Sequence, residues 1–436
     1  MPDSLNLKLH ISPDRAGSYF TLPFTMPPDT ASVTISYSYE RHHKTPTQLP
    51  GGRFTSRQEI NIIDIGLLDP AGAQVGASGS DKTEFTLSET WATPGYHPWL
   101  LAPGEWRILV GAYKVAPQGV DVTYEIIFTP KRLRLLKGDP HTHTVASDGV
   151  LTAEELGWKA LRHGLDYIAI TNHNQQVSAE ALPVIPGLTI IPGVEWTHYR
   201  GHASFLGVAH PYDSPFFTNT EAEARAIFES AHARGAVITA NHPLQEGVEF
   251  KFDFDSLPVD CLEIWNGPMR ESNLKAVGLW HAWLSAGKKV PACGGSDYHR
   301  DTPFIILGGP TTCVYALSAG PSDILAALKQ GHAFITYAPD GPMVDLHAGQ
   351  AILGDTVSWS RQKELHISAE GLLPGDVLRV VTARSAEPIL QAPTEGAFEA
   401  VYPMPAPGFA RLEILRAFLP GLPLLPALIS NPIYFE

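Results

Sequence analysis

Alternation of apolar and polar positions dominates the first 130 residues. In DVTYEIIFTP, Val122, Tyr124, Ile126 and Phe128 fall on one face of an extended chain, and in SVTISYSYE, Val33, Ile35, Tyr37 and Tyr39 do the same. Pro103-Gly104 puts a turn ahead of the apolar run EWRILV. Short alternating strands with polar connections predict a β-sandwich over residues 1–132.

The rhythm changes after the basic stretch KRLRLLK at 131–137. LTAEELGWKALRHG carries a capping box, Thr152 with Glu155, and a helix stop at Gly164; the buried-strand run DYIAIT follows at once. NTEAEARAIFESAHARG repeats the arrangement with Thr220, Glu223 and Gly235 ahead of AVITA, and ESNLKAVGLWHAWLSAG leads into KKVPACGG. Helix followed by parallel-type strand, several times over, predicts an α/β domain over 133–337, with a barrel as its form. Residues 338–436 return to strand and turn, Pro374-Gly375 and Pro407-Gly408 preceding DVLRVV and FARLEIL. A second β-sandwich is the expectation there.

Composition narrows the partners. The 436 residues carry a formal charge of −14, with 44% hydrophobic and 17% charged positions, which describes an ordinary folded chain too long for one core. Tight sequence-independent binding to long nucleic acid needs clustered Lys and Arg, and this balance argues against it. A small anionic substrate stays compatible, because bound divalent cations invert the local charge. Cys261, Cys293 and Cys313 form no CxxC pair, so a reducing compartment is expected rather than a disulfide framework. The start MPDSLNLKLHISP lacks the pattern of a signal peptide, and no stretch has the length and apolarity of a membrane span. The expectation is a soluble cytoplasmic protein.

Candidate chemistry sits where the strands of the central segment end. GDPHTHTVASDG places His141 and His143 on one side of a strand terminus, with Asp148 in the turn that follows. AITNHN ends a strand with His173, IPGVEWT with Glu195, VITANHP with His242, and PACGGSDYH with Asp297 and His299; RGHASFLG opens one with His202. Singly, each has a bland reading: an HxH in a hairpin, a turn-capping Asp, a solvated Glu. Their joint coincidence with strand ends points to metal. His42, His43, His163, His232 and His281 do not share that placement, and His198 and His210 rank below His202 because only His202 begins an apolar run.

Mixed imidazole and carboxylate donors select manganese, zinc or iron over calcium or magnesium, and the absence of cysteine from the set argues against a structural zinc site. Nine ligands suit two or three divalent ions. Such clusters acidify bound water to a pKa of roughly 7 and offset charge on a transferring phosphoryl group, so hydrolysis is the expected chemistry. His202 and His242 are candidate proton donors where metal does not fully engage them. Arg270 and Arg300 flank ligand-bearing loops and are candidates for holding phosphate, with a surface ion pair as the alternative.

Together these motifs resemble the polymerase and histidinol phosphatase (PHP) superfamily: HTH at 141–143 with Asp148, NHN at 172–174, GVE with GHASFLG, NHP at 241–243 and GGSDYH at 294–299, in order throughout the central segment. LEIWNG at 262–267, LGGPTTCVYA, ALKQGHAFIT and the ending NPIYF look like the CehA/McbA type of metallohydrolase within it. The resemblance implies a distorted (β/α)7 barrel flanked here by two β-sandwiches, and a trinuclear centre. One ion would take His141, His143, Glu195 and Asp297. A second would share Glu195 and add His202 and His242. The third would take Asp148, His173 and His299. Asp139 would orient an imidazole. The implied activity is hydrolysis of a small phosphomonoester or phosphodiester by a metal-bridging hydroxide. Carbamate, ester or amide hydrolysis is the alternative, and a non-catalytic metal-containing binding protein a third reading. Two departures stand out: Asn172 where the family usually has Asp, removing a charge near the third ion, and Pro140 where it has an aliphatic residue.

Overall fold

The structure is a computed structural model that describes residues 4–43, 47–48, 55–56, 58–178, 181–213 and 215–436. Two compact units emerge, Met1–Arg132 and Leu133–Glu436. The first contains two four-stranded antiparallel sheets, with orders Ser4–Ile11, Val120–Pro130, Thr30–Tyr39, Glu84–Ser88 and Ser18–Met26, Gly104–Lys114, Ile62–Leu68, Gln74–Ser78. Both sheets turn one face into a single core, in which Val33, Ile35, Val122, Tyr124 and Ile126 meet Trp106, Ile108 and Val110. The alternation in the sequence is the cause: each such side chain, fully buried, contributes about 1.5–3 kcal/mol, and a one-residue slip would expose the whole set.

In the second unit we label the strands from its start: β1 Arg134–Thr142, β2 Tyr167–Ile170, β3 Thr189–His198, β4 Gly201–Leu206, β5 Val237–Ala240, β6 Cys261–Asn266, β7 Ala292–Gly295, β8 Thr311–Ala316 and β9 Ala333–Thr336. Four helices accompany them: α1 Ala153–Arg162, α2 Glu221–Ala233, α3 Glu271–Ser285 and α4 Pro321–Gln330. Both capping boxes form, Thr152 with Glu155 and Thr220 with Glu223, each side chain meeting the other residue's backbone N–H. Strands β1 to β7 pair in chain order. Beyond β7 the backbone returns to the end of β1, the Asp297 N–H donating to the His141 carbonyl (3.0 Å) and the His143 N–H to the Tyr298 carbonyl (2.9 Å).

The result is a mixed α/β arrangement with several sheets and few helices. The helix–strand alternation expected from the sequence is incomplete. Strands β3 and β4 are joined by the tight turn Tyr199-Arg200 and run antiparallel, as do β4 and β5. A two-residue connection has no room for a helical crossover and can only make a hairpin. The link from β5 to β6, residues 241–260, carries no helix. Among the described residues no helix is long and apolar enough to cross a membrane.

Residues 133–337 and 338–436, read from the sequence as two domains, share one sheet. Strand β9 pairs antiparallel with Leu425–Ser430, and the sheet runs on through Gly408–Arg416, Val377–Val381 and Ala386–Gln391. A second sheet, centred on Met343–Ala348 and Glu364–Leu372, packs over it; Leu346, Leu365 and Ile367 share a core with Leu378, Leu412 and Ile414. Asn431 ties this region to β7. Fully buried, its side chain receives the Ala292 N–H (2.8 Å) and donates to the carbonyls of Ala292 and Ala333 (2.9 Å each).

Candidate metal centre

All nine residues singled out by the strand-end argument converge on one place. His141 closes β1 and His143 follows it; Asp148 lies on the loop between β1 and α1. That loop folds back hard on its own strand: a Cβ on Gly149 would sit 2.5 Å from the His143 carbonyl oxygen, so only glycine fits. His173 follows β2, and the NHN triplet extends the pairing to β3, the Asn174 N–H reaching the Glu195 carbonyl (2.9 Å) and the Glu195 N–H the Asn172 carbonyl (3.2 Å). His202 comes from β4, where it lies opposite Thr197. His242 follows β5, and Asp297 and His299 follow β7. His242 and Asp297 have left-handed backbones, φ 28° and 52°, a conformation that costs of order 1–3 kcal/mol and persists only where surroundings enforce it.

Glu195, fully buried, is the hub. Its carboxylate lies 3.3 Å from His141 Nε2, 3.4 Å from His143 Nε2, 2.8 Å from His173 Nδ1, 3.2 Å from His202 Nδ1 and 3.4 Å from His242 Nε2. Asp297 Oδ1 is 3.0 Å from His143 Nε2, 3.4 Å from His141 Nε2 and 3.6 Å from His299 Nδ1. Asp148 lies 3.2 Å from His299 and 3.6 Å from His173. Four groups of donor atoms have the mutual spacing of a metal site: His141, His143 and Glu195; His141, His242 and Asp297; His173, Glu195 and His202; and His143, Asp148, His173 and His299. The last adds His143 to the expected trio Asp148, His173 and His299, while His242 groups with His141 and Asp297 rather than with His202, and His173 joins Glu195 and His202.

These donors fit a cation better than they fit one another. His141 Nε2, both ring nitrogens of His143, Glu195 Oε2, His242 Nδ1 and Asp297 Oδ1 are buried without a hydrogen-bond partner, although His141 Nε2, His143 Nε2 and the two carboxylate oxygens lie close to one another. Orphaned polar atoms in a folded core are rare and costly, and a cluster of lone-pair donors among them fits the binding of a cation. Charge points the same way. Burial alone would raise a carboxyl and depress an imidazole. Against its burial, Glu195 is held well below the usual carboxylate range by His141, His173 and His202, and Asp297 is held down by His141 and His143. Against its own burial, His141 is pushed well up by Glu263, Asp297 and Glu195, and His173 and His242 also rise; only His143 is depressed, by burial. The carboxylates call for positive charge that divalent ions would supply.

The supporting polar residues differ from expectation. Asp139 orients no imidazole: its carboxylate accepts the N–H groups of Ser296 (3.0 Å), Gly308 (2.9 Å) and His141 (3.3 Å) and the Ser296 hydroxyl, and burial pushes its pKa up to about 6 despite them. It pins β1 to the chain after β7 instead. The carboxylate beside an imidazole is Glu263 on β6, which receives His141 Nδ1 at 2.9 Å. Neither its position in LEIWNG nor any helix or strand periodicity singles it out from a structural acid. Asn241, the first residue of the NHP motif, donates to Glu195 (2.9 Å) and Ser204 (2.8 Å), and Thr197 lies 2.7 Å from His173 Nδ1; the sequence gives neither of them this role. Arg270 is exposed at the start of α3 and donates to the Asn266 carbonyl and side chain (3.3 and 3.2 Å); Arg300 is exposed.

No family model matches the chain. Curated relatives are the 5′-3′ exoribonuclease Rnm of Salmonella typhimurium and that of Escherichia coli, each 29% identical over 163 residues, 32% of this chain and 51% of the relative. The chain thus spans about half the length of the curated relatives it matches. Similar solved structures include a two-domain Bacteroides vulgatus protein containing a predicted PHP-like metal-dependent phosphoesterase (19% identity, 64% of this chain and 90% of that one, TM-score 0.41). Two others are a candidate metal-dependent phosphoesterase of Bifidobacterium adolescentis (16%, 44% and 96%, TM-score 0.29) and an amidohydrolase of Chromobacterium violaceum (15%, 38% and 89%, TM-score 0.28).

Proposed function

We propose that the second unit is a metal-dependent phosphoesterase of PHP type, CehA/McbA-like, whose strands β1–β7 make a distorted (β/α)7 barrel. Its substrate is a small phosphomonoester or phosphodiester. The observation that carries this reading is the buried Glu195 carboxylate facing five imidazoles, with the partnerless donor atoms around it. His141, His143, Glu195 and Asp297 would hold one ion, Glu195, His202 and His242 a second, and Asp148, His173 and His299 a third; the donor spacing also allows His242 to join His141 and Asp297, His173 to join Glu195 and His202, and His143 to join the third set. Manganese, zinc or iron suit these donors. Such ions supply Lewis acidity and a water acidified to near neutrality.

The protein's own groups set the direction of approach. The site is closed at His141, His143 and Glu195 and opens toward Asp148, whose side chain is 57% exposed, beside His173 and His299 at 26% and 23%. Substrate enters on that side. His202, at 13% exposure, borders the opening and is the better placed of the two to protonate a leaving group where metal does not fully engage it; His242, at 3%, is enclosed. Arg270 reaches the centre only through Asn266, which contacts Asp297 Oδ2 at 3.4 Å.

A second reading, hydrolysis of a carbamate, ester or amide, draws support from the exposed apolar side chains on the same loops: Val145 and Val150 flank Asp148, and Phe304 lies five residues past His299. One screen decides between them. Protein stripped of metal and reloaded with manganese is offered phosphomonoesters, phosphodiesters, carbamates, esters and amides. Turnover of phosphoesters alone supports the first reading and turnover of acyl substrates alone the second. Full activity in verified metal-free protein would sink both.

A further inference from the structure

Strand β6 contributes no ligand, yet its Glu263 touches two ligand-bearing segments and reaches a third through Asn266. The side chain is buried, and both oxygens are engaged. One receives His141 Nδ1 at 2.9 Å; the other accepts the His242 backbone N–H at 2.8 Å and the Asn266 side-chain amide at 3.1 Å. Asn266 in turn contacts Asp297 Oδ2. Space for this is made on β7, where a Cβ on Gly295 would fall 2.4 Å from the His141 Cβ and 3.0 Å from Glu263 Oε1.

We infer that Glu263 is a positioning residue that fixes His141 as the Nδ1–H tautomer, leaving Nε2 as a lone-pair donor toward Glu195 and Asp297, and that it clamps the left-handed turn at His242. The inference rests on the metal-centre reading. A ligating imidazole keeps one nitrogen for the metal and gives its other N–H to an acceptor, and loss of such an acceptor commonly weakens metal binding by about 10–100-fold. Here the geometry is selective. His141 Nε2 faces the proposed ligand carboxylates Glu195 and Asp297 at 3.3 and 3.4 Å, while Nδ1 faces the non-ligand carboxylate of Glu263. The second oxygen, with two N–H donors on it, resists replacement by anything that itself donates.

This makes Glu263→Gln a precise probe. The amide oxygen must face the two donors from His242 and Asn266, which turns the NH2 group toward His141 Nδ1. Nδ1 then accepts, the ring proton moves to Nε2, and the nitrogen meant for metal is blocked. The variant is isosteric, so the metal-free protein is expected to melt within a few degrees of wild type while its affinity for manganese falls about 10–100-fold at the ions that use His141. The equivalent held by Asp148, His173 and His299 is retained. Metal titration with elemental analysis, alongside melting of the stripped proteins, reads both quantities. Wild-type affinity and stoichiometry in Glu263→Gln would overturn the assignment and leave the metal centre standing; a wild-type chain that takes up no metal overturns both. Should the variant fail to fold, the wild-type protein still gives an answer by proton NMR. The His141 Nδ1–H, identified by its absence from His141→Asn, is expected to persist as a downfield resonance on loading with zinc. Its loss on loading overturns the tautomer.

Discussion

Asp148 and Glu195 mark the two extremes of the ligand set, one on an exposed loop and the other fully buried under five imidazoles. Replacing Asp148 with Ala removes a donor from the group with His173 and His299 and touches no other. Bound metal should fall by about one equivalent, with the buried donors still loaded. Glu195→Ala should lose more, since its carboxylate serves two of the proposed ions and neutralises repulsion between them. Elemental analysis of both variants against wild type is the check, and equal losses would refute the bridging role. Asn172 supplies a converse. Its oxygen accepts from the Thr144 N–H (2.8 Å), the Thr144 hydroxyl (3.0 Å) and the Ser147 hydroxyl (3.1 Å), so it shapes the loop that carries Asp148, while its Nδ2 is buried without a partner. Asn172→Asp keeps those bonds and puts a second oxygen where the idle amide nitrogen stood. The buried charge should lower the melting temperature of stripped protein, and added metal should raise it by more than in wild type. An equal metal-induced rise in the two proteins would show that position 172 does not face an ion.

At the scale of elements, the site depends on strands far from it in sequence. Asn431 closes three hydrogen bonds to β7 and β9, and β7 leads directly into Ser296, Asp297 and His299. Asn431→Ala leaves the buried Ala292 N–H without its acceptor and removes one donor from each of the Ala292 and Ala333 carbonyls, the latter keeping the backbone N–H of residue 431 (3.1 Å), so a loss of about 1–3 kcal/mol is expected by denaturant unfolding. A change below about 0.5 kcal/mol would mean that the C-terminal strands are not coupled to β7 in this way. What the sequence made legible follows from how local each signal is. Capping boxes and alternation act over three to ten residues, and Thr152, Thr220, Val33 and Val122 sit where that reasoning puts them. The convergence of the candidate ligands was legible because strand ends collect at one face, which brings the His, Asp and Glu side chains placed there together. Incomplete helix alternation was not, since β3 and β4 read as two more buried strands and nothing in TIIPGVEWTHYRGHASFL announces their direction. Nor was Glu263: a buried carboxylate declares itself only through its partners, here 122 residues away at His141.

At the scale of the whole molecule, charge and metal act in opposite senses. The chain carries −14, so by the proposed reading a long polynucleotide would meet net repulsion away from the cations of the site, while a small phosphoester would meet chiefly those cations. The reach of that repulsion is about 10 Å at 0.1 M salt and 3 Å at 1 M, which separates the two substrate classes experimentally. With manganese-loaded protein, kcat/KM for a small phosphoester should change little as salt rises over that range, because its contacts are short and direct. Binding of a long single strand should be weak at low salt and should not weaken further as salt rises, the reverse of the steep decline shown by proteins that displace counterions with Lys and Arg. A short oligonucleotide should follow the small substrate, since only its terminal phosphate must reach the metals. The outcome that would defeat this argument is tight long-strand binding that falls steeply with added salt. It would require a basic track on the surface, which 31 basic against 45 acidic residues give no reason to expect.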